Sequence, residues 1–143
     1  MKTFEILVVE DNSGDQLLIK KGFDSMGLEH RLHWVVDGVD ATEFLSKTGT
    51  YSEAPRPHLI IMDLNLTRKD GREVLSEMKK DPSLRKIPVV VFTTSNTEID
   101  IDECYTLGAN AFLTKPPDLR EFLDSIRSIG RFWLEKASLP LPA

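Results

Sequence analysis

The sequence predicts an α/β chain built on a doubly wound, five-stranded parallel sheet in the order 2-1-3-4-5, with helices on both faces. Three observations predict it. Five short apolar runs alternate with segments of helical period along the 143 residues. The first, third and fourth runs show little polar alternation, as strands buried on both faces do. Glycines stand where helix ends favour them. Alternating βα units place helices on both sides of an open sheet, and 2-1-3-4-5 is a common doubly wound order for five strands.

The elements follow in order. FEILVV at 4–9 is the first strand, and the amphipathic stretch at 14–26 ends at Gly27. RLHWVV at 31–36 leads to a helix at 38–47. Pro55 and Pro57 mark the loop before HLIIM at 58–62, and KDG marks the turn into a third helix at 71–81. PVVVF at 88–92 precedes a helix at 97–107 that ends at Gly108, and AFL at 111–113 precedes the last helix, 118–136. No repeat, low-complexity block or linker interrupts the pattern. Residues 1–137 are expected to form one domain, with 138–143 a detached tail.

Composition excludes several function classes. A net charge of -5 and a pI near 5.2 disfavour a phosphate-tracking surface, so no nucleic acid is expected as a partner. Cys104 is the single cysteine, so no internal disulfide forms. No apolar run reaches transmembrane length, and MKTFEILVVEDN breaks into acids too early for a secretory signal. A cytoplasmic location, without membrane contact, is the expectation.

Ligands in such folds sit at the carboxyl ends of the strands, beside the switch point between strands one and three. Strand one ends in Glu10 and Asp11, strand three in Asp63, and strand four in Thr93 and Thr94; Lys115 and Pro116 follow strand five. Carboxylates gathered this closely repel one another and call for a cation, and hard oxygen donors with room for water suit Mg²⁺. A metal-bound carboxylate, an ammonium and a hydroxyl are also the parts that balance a phosphoryl group in transfer, which makes Asp63 a nucleophile that would form an acyl phosphate. Plainer readings exist for each residue. A lone acid after a strand serves as a turn or cap residue, Glu10 and Asp11 could cap the first helix as Asn12 and Ser13 could, and Lys115 could be merely solvated. His30, His33 and His58 fall away from these strand ends, and Cys104 has no base beside it in sequence.

Together, ILVVEDN, LIIMDLNLTRKDG, IPVVVFTTS and GANAFLTKP resemble the receiver domain of two-component response regulators, a flavodoxin-like (βα)5 fold, over residues 4 to 130. The resemblance implies Asp63 as phosphoacceptor and Asp11 as a direct Mg²⁺ ligand, with Glu10 acting through water and the backbone carbonyl of Asn65 as a further ligand. It implies Thr93 as the switching hydroxyl, Phe112 as the aromatic rotamer switch, Lys115 as the phosphate-binding cation and a cis Lys115–Pro116 bond. A finer resemblance, carried by VEDN, LNLTRKDGREVL, FTTS and the closing FW with LP beyond, is to the single-domain regulators paired with cyanobacterial and bacterial phytochromes. It implies a sensor histidine kinase of phytochrome type as partner, and no enzymatic turnover beyond the chain's own phosphorylation and dephosphorylation. Glu10, Thr67, Thr94 and Pro117 depart from the commonest pattern. Thr94 flanks the path of the switching hydroxyl and Asn65 the approach of water, so both bear on the lifetime of the acyl phosphate.

Two rival functions share parts of this pattern. DLNLT resembles the signature of haloacid-dehalogenase-type phosphohydrolases, but their second Asp, a general acid, is Asn65 here. An FMN-carrying flavodoxin-like protein would need a phosphate loop after strand one, where this chain has the acidic EDNSGD. At the end of the chain, Leu119, Leu123, Ile126 and Trp133 have core spacing, leaving Phe122, Ile129 and Phe132 as a second stripe. That surplus predicts a homodimer through the fifth helix and tail.

Overall fold

A computed structural model describes residues 3–140. The strands are β1 (Phe4–Val9), β2 (His30–Val35), β3 (Leu59–Met62), β4 (Val89–Thr93) and β5 (Ala111–Thr114). The helices are α1 (Ser13–Asp24), α2 (Gly38–Ser46), α3 (Gly71–Lys80), α4 (Glu98–Thr106) and α5 (Leu119–Gly130), the last continuing as wider π-helical turns over Arg131–Lys136. All strand pairs are parallel and the sheet order is β2-β1-β3-β4-β5. The doubly wound order predicted from sequence is the order observed.

Strand alternation divides the core into two layers. Leu7, Val9, Ile60, Met62 and Val91 face α2, α3 and α4, whereas Ile6, Val8, Ile61, Val90 and Phe92 face α1 and α5. Both layers are apolar, which is why the central strands read as unbroken apolar runs. Helix starts are fixed by side chains that take up otherwise unpaired amides. Asn12, Asp37, Asp70, Thr97 and Asp118 each accept a backbone N–H from the first turn of α1 to α5 in turn. Gly27 and Gly108 adopt positive φ just after α1 and α4, as their places in the sequence predict.

The register aligns the carboxyl ends. Val9 lies opposite Met62, so Glu10 and Asp63 leave the sheet side by side. Thr93 lies opposite Thr114, which brings Lys115 to the same edge.

Three expectations are corrected. Phe122 and Ile129 are buried with Ile126 in the α1–α5 layer, and the Phe122 ring meets Phe92 edge-on at 5.1 Å, so neither is available as an interface residue. Leu119, expected in the core, is 57% exposed. α1 approaches α5 closely at Gly22. A Cβ there would lie 2.5 Å from Ile126 Cγ2, so only glycine lets α5 seat this face. Only Phe132 of the proposed stripe is exposed, at 55%. Second, no cis peptide occurs among the described residues, so Lys115–Pro116 is trans. The Lys115 amide donates to Thr93 O at 2.6 Å, continuing the β4–β5 ladder past its last pair. Third, the tail is not detached over its described part, because Leu139 packs on the α1–α5 layer; residues 141–143 lie outside the described residues.

Candidate phosphoacceptor and metal site

The site is built on four strand ends, those of β1, β3, β4 and β5. Asp63 directly follows the buried β3, and its amide donates to Val9 O at 3.0 Å, which locks it to the end of β1. Its Oδ1 accepts from the Leu64 amide at 2.7 Å and, more weakly, from the Asn65 amide at 3.4 Å. Oδ2 accepts from Lys115 Nζ at 2.9 Å. One carboxylate oxygen is thus held by backbone and the other faces the ammonium. Gly71 makes this loop possible, because a Cβ there would stand 2.5 Å from the Asp63 carbonyl oxygen. Arg68 pins the far side of the loop: its Nε donates to Asp37 Oδ2 at 2.7 Å and its Nη2 to Asp40 Oδ1 at 3.2 Å.

Glu10 is almost wholly buried. Its Oε1 accepts from Lys115 Nζ at 2.6 Å and its Oε2 from the Asn12 amide at 3.1 Å. Burial pushes its carboxyl up to about 7 against the opposing pull of Lys115, and the charge of Asp63 adds to the rise. Lys115 is the mirror case. Burial alone would lower its affinity for a proton, but hydrogen bonds to Asp15, Glu10 and Asp63 outweigh that and hold it raised, so the ammonium stays charged.

Glu10, Asp11 and Asp63 each offer a carboxylate oxygen, all within 4.8 Å of one another. With Asp15, the site gathers four carboxylates near a single ammonium, three of them in contact with it, and the excess negative charge fits a divalent cation. The donors are all hard oxygens, which suits Mg²⁺ or Mn²⁺. Thr93 is fully buried and its hydroxyl meets no partner among the described residues. Such a hydroxyl is costly to leave unpaired, and it fits a site that waits for an added acceptor such as a phosphoryl oxygen.

The structure therefore brings Glu10, Asp11, Asp63 and Lys115 together and sets Thr93 at the adjoining strand end. Asn65 reaches the site by its amide, and its side chain is exposed. Phe112 is half-buried against the α2–α3–α4 layer, and its amide donates to Tyr105 Oη at 3.2 Å. The histidines stand elsewhere. His33 Nε2 lies 2.7 Å from Glu5 Oε1, while His58 Nδ1 accepts from the Glu5 amide, both around the start of β1. Cys104 is buried, and desolvation pushes its thiol up to about 11, away from nucleophilic use.

Sequence reasoning missed two contributors. Asp15 donates nothing to a strand end, yet its Oδ2 lies 2.7 Å from Lys115 Nζ. Gln16 Nε2 donates to Glu10 O at 2.6 Å. The signal for both was position: Asp15 and Gln16 stand in the first turn of α1, directly after the end of β1.

An acid pocket with a buried lysine and an unpaired hydroxyl, at the switch point of a (βα)5 sheet, defines a phosphoacceptor receiver domain. Residues 6–127 match the response regulator receiver domain model, and the chain belongs to that family. Response regulator Rcp1 of Synechocystis sp. is 44% identical over 135 residues, covering 94% of this chain and 92% of the relative. The structure of the Mn²⁺-bound form of Rcp1 superposes with a TM-score of 0.93 at 43% identity, covering 96% of this chain and 99% of that one. The phosphorylated cyanobacterial phytochrome response regulator RcpA gives 0.95 at 43% identity, covering 98% and 100%. The two rival readings, a dehalogenase-type hydrolase and a flavin carrier, give way to this assignment.

Proposed function

We propose that the chain is a phosphorelay receiver that takes a phosphoryl group onto Asp63 from the phosphohistidine of a sensor histidine kinase of phytochrome type, in a Mg²⁺-dependent step. The observation that carries it is the buried Lys115 ammonium 2.9 Å from Asp63 Oδ2, with Oδ1 held by backbone amides. Oδ2 attacks phosphorus, the P–N bond breaks, and its electron pair leaves with the imidazole, which takes up a proton. Lys115 offsets the charge of the phosphoryl oxygens and Thr93 donates its free hydroxyl to one of them. Glu10, Asp11, Asp63 and the carbonyl of Asn65 would hold the Mg²⁺, which supplies charge neutralisation for the carboxylate and the phosphoryl group when bound. Phe112 follows Thr93 inward as the switch. The pairing with a phytochrome is supported by the similarity to RcpA, and the metal requirement by the acidic donor set and the Mn²⁺-bound relative.

The chain turns over no external substrate in this reading, and it acts in the cytoplasm, where ATP charges the kinase. No helix among the described residues is long and apolar enough to cross a membrane. Output passes through protein contacts, including self-association at the end of α5 around the exposed Phe132. The test is phosphotransfer from an autophosphorylated kinase. Wild type should be labelled with Mg²⁺ and lose labelling on chelation, and Asp63→Asn should take none; labelling of Asp63→Asn would overturn the assignment.

A further inference from the structure

Lys115 Nζ has three hydrogens, and three carboxylates use them: Glu10 at 2.6 Å, Asp15 at 2.7 Å and Asp63 at 2.9 Å. The three acceptors are not equivalent. Glu10 is sunk in the fold, its side chain 2% exposed, and also binds the Asn12 amide. Asp63 is tied by the Leu64 and Asn65 amides. Asp15 stands at the rim with its side chain 25% exposed, and among the described residues its carboxylate binds nothing except Lys115. It lines a cleft of about 500 Å³ with Thr94, Lys115, Pro116, Pro117 and Leu119.

We propose that Asp15 is a positioning residue that occupies Lys115 in the resting protein and is the partner given up when phosphoryl oxygens arrive, so that it sets how strongly the site holds a phosphoryl group. Esterification of Asp63 Oδ2 frees one N–H of Lys115. A second contact from the ammonium to the phosphoryl group requires another acceptor to yield, and Asp15 is the least buried and least tied of the two that remain. Its negative charge also opposes the incoming anion directly. Asp15 therefore keeps the resting ammonium aimed into the site while making phosphoryl binding weaker than Lys115 alone would allow. An acid in the first turn of α1 also interacts favourably with the helix dipole, but that role acts on stability and leaves the selectivity of Lys115 untouched.

The inference rests on the reading of Asp63 as phosphoacceptor, and the experiment separates the two. Beryllofluoride binding would be followed by ¹⁹F NMR, and labelling of Asp63 by acetyl phosphate would be measured at saturating Mg²⁺, for wild type, Asp15→Asn and Asp15→Glu. In labelling, Asp63 attacks phosphorus and acetate leaves with the electron pair of the P–O bond. Asp15→Asn should bind beryllofluoride about threefold to tenfold more tightly and half-saturate with acetyl phosphate at a concentration lower by about the same factor. Asp15→Glu, which keeps the carboxylate, should stay close to wild type in both measurements. Unchanged or weaker beryllofluoride binding by a folded Asp15→Asn overturns the inference while leaving the phosphoacceptor reading intact. A silent wild type overturns both.

Discussion

At the scale of single residues, the site is governed by a buried acid that is reluctant to ionise. Glu10 titrates near 7 in the folded chain because burial disfavours its charge, whereas the ordinary value of such a group is about 4.5. Between those values the folded state holds a proton that the unfolded state has released, so the stability Glu10 contributes is complete below pH 4.5 and is lost as pH rises through 7. A divalent cation needs the ionised form, so protons and metal compete. Mg²⁺ affinity, measured by calorimetry, should therefore fall as pH drops below 7, approaching about tenfold per unit where one proton is displaced for each ion bound. Glu10→Gln should flatten that dependence; an unchanged slope would assign the titration to another group.

At the scale of elements, the β3–α3 loop is a close-fitting mount for Asp63. Gly71 permits the close pass beneath the Asp63 carbonyl, Asp70 caps α3, and Arg68 ties the loop to the start of α2 through Asp37 and Asp40. Gly71→Ala forces the Asp63–Leu64 backbone to shift. It should cost roughly 1–3 kcal/mol in denaturant unfolding and slow labelling of Asp63 more than it weakens Mg²⁺ binding. Equal stability and equal labelling would mean that the loop yields freely. On the other side of the strand ends, Thr114 Oγ1 donates to Ser95 O at 2.9 Å, Ser95 Oγ to Asp100 Oδ2 at 2.5 Å, and Arg72 Nη2 to Asp100 Oδ1 at 2.7 Å. The segment just after Thr93 is thereby linked to β5, α4 and α3.

At the scale of the whole molecule, α5 turns one apolar face to α1 and the sheet and leaves Phe132 outside, its ring edge-on to Trp133 at 5.0 Å. An exposed aromatic beside a half-buried one is the apolar surface available for self-association at this end of the fold. Sedimentation at tens of micromolar, about the range where transient interfaces populate, should show wild type shifting toward dimer with beryllofluoride and Phe132→Glu remaining monomeric. Monomers throughout would remove self-association from the proposed output. Phe122→Glu is the contrasting variant. Its site is buried against Phe92, so it should lose folding stability, which marks it as core rather than interface.

The sequence by itself determined the sheet and the principal acids. Strands buried on both faces must be continuously apolar, so HLIIM identifies β3, and the acid that ends it marks the carboxyl edge where an α/β sheet binds its ligands. Glu10, Asp11, Thr93 and Lys115 were legible for the same reason, because each lies within two residues of such a run. Tertiary structure alone decided the rest. The sequence places Ile126 in one stripe of α5 and Phe122 and Ile129 in another, whereas the fold buries all three on one face, with Ile126 seated against Gly22 of α1. Asp15 reads locally as an ordinary helix-start acid. Its partner lies 100 residues away, and only the folding of α1 beside the end of β5 turns it into a ligand of Lys115.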